Sequence, residues 1–171
     1  SYDFYTYTHS VNVGLLAVSM AKVLFRGSDA HDMHELGAGF FLHDLGKVQI
    51  DLAVLNKPGR LTPEEMEVVR RHPAIGFKIL QEARQLSEEC KTIVLQHHER
   101  DDGTGYPNQL RGGEIHLYGK ICALADVFDA LTSNRPYRRG MTPFGALVLM
   151  KKEMINHFQK DLYEKFVVML T

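Results

Sequence analysis

Cysteine is scarce in this chain: among 171 residues only Cys90 and Cys122 carry a thiol. Both stand inside apolar helical patterns. They read as small buried hydrophobes in a reducing compartment, not as a disulfide frame. No apolar run approaches the roughly 18 residues that a membrane-spanning helix needs. No basic stretch leads into an apolar one at the start, so no secretion signal is visible and a cytoplasmic protein is expected. Neither sign of charge dominates. Lys and Arg number 20 against 21 Asp and Glu, a formal net charge of −1, which leaves no basic footprint for long nucleic acid. Strand-like alternation is nearly missing, and so are repeats, low-complexity tracts and interdomain linkers. The chain opens without Met in an aromatic helical stretch, and it is expected to be one domain of a longer protein.

What is present suits a single helical domain over residues 1–171. Hydrophobic residues make up 44% and charged residues 24%, near the globular average, so a core can form. His9 to Leu24 carries apolar residues at helical spacing. Met33 to Leu45 reads as a second helix. Thr62-Pro63-Glu64-Glu65 is a helix start, with Thr62 as cap, Pro63 in the first turn and Glu65 three residues after the cap. His72-Pro73 is expected to interrupt that helix before Ala74 to Glu82 resumes it. Ser87 to Gln96 is another helix and ends at a histidine pair. Residues 101–113 hold Gly103, Gly105, Pro107, Gly112 and Gly113 and read as a loop. Ile115 to Leu131 forms a long apolar helix, Thr142-Pro143 opens one toward Asn156, and Leu162 to Leu170 is the last.

The chemistry lies in a few segments. His97-His98-Glu99 followed by Asp102-Gly103-Thr104-Gly105-Tyr106-Pro107 suggests a metal site at the mouth of a loop. His43-Asp44 projects an imidazole and a carboxylate from one helix end. Such donors suit Fe, Mn, Zn or Ni, and a carboxylate can bridge two cations. Asp126 stands in an otherwise apolar helix, where a buried carboxylate needs a cation or a dense set of hydrogen bonds. Asp129 follows one helical turn later on the same side. Locally, His72 reads as a surface histidine and His9 as a buried one bonded to a hydroxyl. His31, His34, His116 and His157 read as solvated. Lys47 could clamp a phosphate oxygen. Arg135, Tyr137, Arg138 and Arg139 form a basic and aromatic patch suited to phosphates and bases.

Taken together, these segments resemble the HD superfamily of metal-dependent phosphohydrolases. His43-Asp44-Leu45-Gly46-Lys47, His97-His98-Glu99-Arg100, the 102–107 loop and Asp126-Val127-Phe128-Asp129-Ala130-Leu131-Thr132-Ser133 match its HD-GYP subfamily, from about Tyr7 to about Leu149. The resemblance implies an all-α, single compact domain of the HD phosphohydrolase type, serving as the output domain of a longer bacterial regulatory protein. It implies cleavage of cyclic-di-GMP to linear pGpG and onward to GMP. His9, His43, Asp44 and Asp126 match ligands of a first metal. His72, His97 and His98 match those of a second, with Asp44 bridging. Asp44 and Lys47 take the catalytic roles. Lys47, Asp129, Arg135, Arg138 and the Gly105-Tyr106-Pro107 loop match positions near the substrate.

The implied cofactors are two divalent transition metals, Fe or Mn first, with Ni or Zn also accepted. Tyr5 stands where members with three metals carry a Glu, which disfavours a third. The reaction expected from such a centre is in-line attack by a metal-activated water, with no Ser, Cys or Thr nucleophile. The 102–107 loop is a candidate contact for a diguanylate cyclase or another signalling protein, and a homodimer is compatible with the sequence. Three alternatives stay open. One is an inactive cyclic-dinucleotide sensor, another a hydrolase for a different cyclic dinucleotide such as cyclic GMP-AMP, and the third an interaction domain. Gly103 and Gly105 are expected to permit backbone angles or a close approach that a side chain would prevent.

Overall fold

In the computed structural model the chain is described over residues 2–84, 86–134 and 138–171, with side chains from Tyr7 onward. The architecture is all-α, as expected. Helix α1 spans Tyr2–Leu24, α2 Met33–Phe41, α3 Leu52–Leu55, α4 Pro63–Val69 and α5 His72–Ala83. They are followed by α6 (Glu88–Gln96), α7 (Leu117–Thr132), α8 (Pro143–Glu153) and α9 (Lys160–Leu170). No strand forms among the described residues; a lone antiparallel bridge joins Asp102 and Arg111. None of the described helices is long and apolar enough to cross a membrane.

Caps explain several starts. Thr62 and Glu65 form a reciprocal capping box with Pro63 in the first turn of α4, as the sequence predicts. Asp32 accepts from the amides of His34 and Glu35, and Ser87 caps α6 through the Cys90 amide. Some boundaries differ from expectation. The second helix ends at Phe41, not Leu45; Leu42 caps it, and Leu45–Gln49 follows as a 3-10 turn. His72 and Pro73 do not interrupt a helix but open α5. Proline is tolerated there because the first turn has no use for its missing N–H. The break falls at Arg70 and Arg71 instead. The long apolar helix begins at Leu117, where the His116 ring accepts from the Tyr118 amide.

Helix α7 is the hub. It packs against α1, α6, α8 and α9, and its Ile121, Cys122, Leu124, Ala125, Phe128 and Leu131 are buried in one core with Val13, Ala17 and Met20 of α1, Ile93 of α6, Met150 of α8 and Phe166 of α9. The His9 ring continues the buried stripe of α1 one turn before Val13. On the other side, α5 rests directly on the 3-10 turn that follows Asp44. That contact is backbone on backbone. A Cβ at Gly46 would stand 1.9 Å from the His72 carbonyl oxygen and 2.6 Å from the Gly76 amide nitrogen. Only glycine fits, and its absence of a side chain sets the spacing between Asp44 and His72. Gly46→Ala should therefore lower stability by at least the ~1–3 kcal/mol typical of overpacking and reduce metal uptake. Denaturant unfolding together with metal analysis checks both, and a variant unchanged in each would show that the contact relaxes freely.

Candidate metal centre

Three helices end at one point. His43 follows α2, His72 follows α4, and His97 caps α6. The C-terminal carbonyls of a helix have no partner inside it. Each histidine donates Nδ1–H to the carbonyl three residues before it: His43 to Phe40 at 2.9 Å, His72 to Val69 at 2.8 Å and His97 to Val94 at 2.9 Å. A carbonyl can only accept, so Nδ1 carries the proton and Nε2 is left with its lone pair. This is how ligating imidazoles are oriented in metal proteins. Three helix C-termini also bring partial negative charge toward the same place, which favours a cation.

Asp44 lies where these rings meet, and its two oxygens face different groups. Oδ2 is 3.8 Å from His9 Nε2, 3.5 Å from His43 Nε2 and 2.6 Å from Lys47 Nζ. Oδ1 is 3.2 Å from His72 Nε2 and 3.7 Å from His97 Nε2. Burial alone would push this carboxyl up, but Lys47, His43 and His72 reverse that and hold it well below the usual carboxylate range. The donors form two overlapping groups that share Asp44: His72, His97 and His98 on one side, His9 and His43 on the other. Buried and without a hydrogen-bond partner among the described residues are His43 Nε2 and Asp44 Oδ1. Two orphaned donor atoms in a dry imidazole and carboxylate cage are what a divalent cation satisfies. The residues fit divalent metal binding.

The long helix α7 supplies the remaining side. Asp126 Oδ1 is 3.0 Å from His9 Nε2, and Asp126 Oδ2 is 3.6 Å from His98 Nδ1. Burial opposes its charge, yet His9, His98 and His43 keep Asp126 ionised. One turn on, Asp129 accepts from His9 Nδ1 at 2.6 Å, while Asn12 and Ser133 each donate to its other oxygen at 2.8 Å. Asp129 was expected beside the substrate. It is buried behind His9, with both oxygens occupied, and acts as the carboxylate that orients this imidazole.

The rings form the floor of a cavity of about 580 Å³, a size suited to a small ligand. Lys47, Tyr106, His97, His98, His9, Asp44 and Asp126 line it. His43 and His72 sit behind that floor. Tyr106 stacks on His98 with centroids 4.7 Å apart, and the Arg70 guanidinium covers the Tyr106 ring at 5.5 Å. Gly105 and Pro107, expected at the substrate, do not line the cavity. Gly105 is buried against the chain at 98–100, where a Cβ would meet the Arg100 amide nitrogen at 2.4 Å. A side chain there would displace His98 itself, so the loop is not independent of the metal ligands. Arg138 does not line the cavity either. It is exposed and donates to the Ala130 carbonyl. Arg135, Tyr137 and the side chain of Tyr5 lie outside the described residues.

Three residues acquire roles their local sequence did not suggest. Glu99 turns away from the histidines, and its carboxylate accepts from the amides of Asn108 and Leu110 at 2.7 and 2.9 Å. It ties down the chain just after the 102–107 loop. The stretch it belongs to suggested a metal site; only the folded loop shows what Glu99 itself does. His157, expected to be solvated, lines the cavity. His31 is likewise engaged, bonded to the Tyr118 hydroxyl at 2.6 Å and stacked on Phe25.

The helical cage and its histidine–aspartate donors suit a divalent metal, and the chain belongs to the HD domain family, whose model matches residues 7–162. A cyclic di-GMP phosphodiesterase of Pseudomonas aeruginosa is 41% identical over 165 residues, 96% of this chain and 39% of its own length. A 3'3'-cGAMP-specific phosphodiesterase of Vibrio cholerae is 40% identical over 124 residues, 72% of this chain and 24% of its own. The chain thus spans well under half of the curated relatives it matches. Among solved structures, an HD-GYP-type protein of Bdellovibrio bacteriovorus superposes with a TM-score of 0.78 at 23% identity, covering 96% of this chain and 52% of the other. That likeness extends to the fold.

Protonation of the cage makes a measurable demand on metal uptake. Burial alone would lower the His9 pKa, but hydrogen bonds to Asp126 and Asp129 outweigh it and raise the ring to about 9. Burial drives His97 down to about 4 and His98 well below its ordinary value. At neutral pH His97 and His98 are ready as ligands and His9 is not, because a ligating imidazole must be neutral at the bound nitrogen. Metal loading at about pH 7 should release a proton from His9, and affinity should climb as pH rises toward its pKa. Calorimetric titrations in buffers of different ionisation enthalpy count that proton. Loading without proton release would take His9 out of the ligand set.

Proposed function

We propose that this domain is a metal-dependent phosphodiesterase that opens cyclic-di-GMP to linear pGpG, with further cleavage to GMP within reach of the same site. The division of Asp44 carries this reading. One oxygen faces His9 and His43 and the other faces His72 and His97, at the floor of a cavity sized for a small ligand. His9, His43, Asp44 and Asp126 would hold one divalent ion, and His72, His97, His98 and Asp44 a second. Fe or Mn is favoured, with Ni or Zn accepted by the same donors; a third ion would need a donor in place of Tyr5. Held by these residues, divalent ions would supply acidification of water toward neutral pH and a counter-charge for phosphoryl oxygens.

The chain's own residues supply the rest. No Ser, Thr or Cys lines the cavity among the described residues, so attack falls to water. Lys47, held at 2.6 Å on Asp44, keeps that carboxylate ionised and stands at the cavity wall, where its ammonium can meet a phosphoryl oxygen as charge develops. A second phosphate would fall to Arg135. The cGAMP-specific relative keeps 3'3'-cGAMP as a second reading of the same site. The domain is proposed as the cytoplasmic output unit of a longer bacterial signalling protein. Its 102–107 loop is the proposed contact for a diguanylate cyclase or another signalling partner, and a homodimer belongs to the same reading.

With Mn or Fe supplied, the wild type should convert cyclic-di-GMP to pGpG and bind about two metals per chain. Asp44→Ala should abolish turnover and lower metal content. Lys47→Ala should keep the metals and slow turnover by roughly a hundredfold, the scale of losing one preorganised donor. Product separation and elemental analysis read both. Turnover surviving in Asp44→Ala, or a reconstituted wild type with only about one metal, would overturn the proposed centre.

A further inference from the structure

Among the described residues, the fixed cations lining the cavity are Lys47, Lys57 and Arg100. Lys47 is engaged by Asp44 at 2.6 Å, and Lys57 by both oxygens of Glu65 at 2.9 and 2.6 Å. Arg100 is different. It hydrogen-bonds Thr104 Oγ1 at a long 3.3 Å, and no carboxylate oxygen of the described residues lies within 4.0 Å of it. From Arg100 a string of polar side chains leads to His157. Thr104 donates from Oγ1 and from its amide to Asp102 Oδ1 at 2.7 and 2.9 Å. Asp102 Oδ2 is 4.0 Å from His157 Nε2, and the Asp101 amide donates to the His157 carbonyl at 2.9 Å. Arg100 and His157 both line the cavity, together with the apolar Val127, Leu131, Met154 and Phe158.

This combination suits a purine better than a phosphate. Apolar side chains can hold the faces of a base, and a guanidinium can donate two parallel bonds to O6 and N7 of guanine. The Asp102 carboxylate stands within the string, where it would repel a phosphate but not a neutral base edge. Adenine offers an amino donor where guanine offers O6, so it would meet Arg100 donor to donor. Burial and the nearby Arg100 hold His157 below its ordinary range, which leaves a neutral ring able to pair with a base. We propose that Arg100, with His157 beside it, reads a guanine of the bound dinucleotide and sets the preference for guanine over adenine. The inference rests on the cyclic-dinucleotide reading above and names what selects the substrate.

The test compares cyclic-di-GMP, 3'3'-cGAMP and cyclic-di-AMP, by equilibrium binding to the metal-loaded protein as well as by turnover. The wild type should prefer them in that order. Arg100→Gln should weaken cyclic-di-GMP binding about tenfold to a hundredfold, the worth of a two-point guanine contact, and leave cyclic-di-AMP within about threefold. Arg100→Lys keeps the charge but loses the fork, so it should also lose the preference. His157→Leu should cost roughly threefold to tenfold in the same direction, the scale of one hydrogen bond. Metal content and helical circular dichroism should stay at wild-type values in all three. Equal losses for the three dinucleotides, full rescue by Lys, or a wild type indifferent to the base would overturn the proposal while hydrolysis stood. Selective binding without turnover would sink the hydrolase reading and uphold the base reading. Failure to bind any of the three would sink both.

Discussion

Asp44 is a carboxylate only 6% exposed, and an uncompensated charge in such a place costs several kcal/mol. The centre of the protein is arranged around that cost. Lys47 and four imidazoles reach it from α1, from the end of α2, from the start of α5 and from the end of α6. Even so, Asp44 Oδ1 and His43 Nε2 keep no hydrogen-bond partner among the described residues. A divalent cation bound there would satisfy both atoms, and its binding would be coupled to the local fold through them.

The other constraint is close approach of backbone. Asp44 can stand between His43 and His72 only because Gly46 lets its turn lie directly on α5. Gly105 does the same for the loop behind His98, which explains why a loop outside the ligand set can govern a ligand's position. Glu99 holds that loop from below and Arg70 covers Tyr106 from the side. The second group of histidines is thus positioned by packing and hydrogen bonds within the protein. On the first side, Asn12 and Ser133 fix Asp129, which fixes His9.

Much of this was legible in the linear chain. Asp126 in an apolar helix called for a cation or a dense set of hydrogen bonds, and His43-Asp44 and His97-His98 together with it offered the donor types of a metal site. Local reading did less well where a side chain has two plausible uses. Glu99 stands in a stretch that suggested a metal site, yet its oxygens go to loop amides nine and eleven residues away. Asp129 shares a helix face with Asp126, yet its partner His9 lies 120 residues off. Arg138 belongs to a basic patch that suggested phosphate contact, but its guanidinium is held by a backbone carbonyl. His157 looked solvated because nothing adjacent marks it as part of a cavity wall.

The sequence by itself determined the helical class, the caps, the buried stripe of each helix and the kinds of donor available, because these depend on neighbours within a turn or two. Only the tertiary structure decided which oxygen of Asp44 faces which imidazoles, which carboxylate stands behind His9 and which arginine lines the cavity. Those outcomes depend on where helix ends meet in space. A shift of about 1 Å there exchanges one hydrogen-bond partner for another, because such bonds weaken steeply with distance and angle.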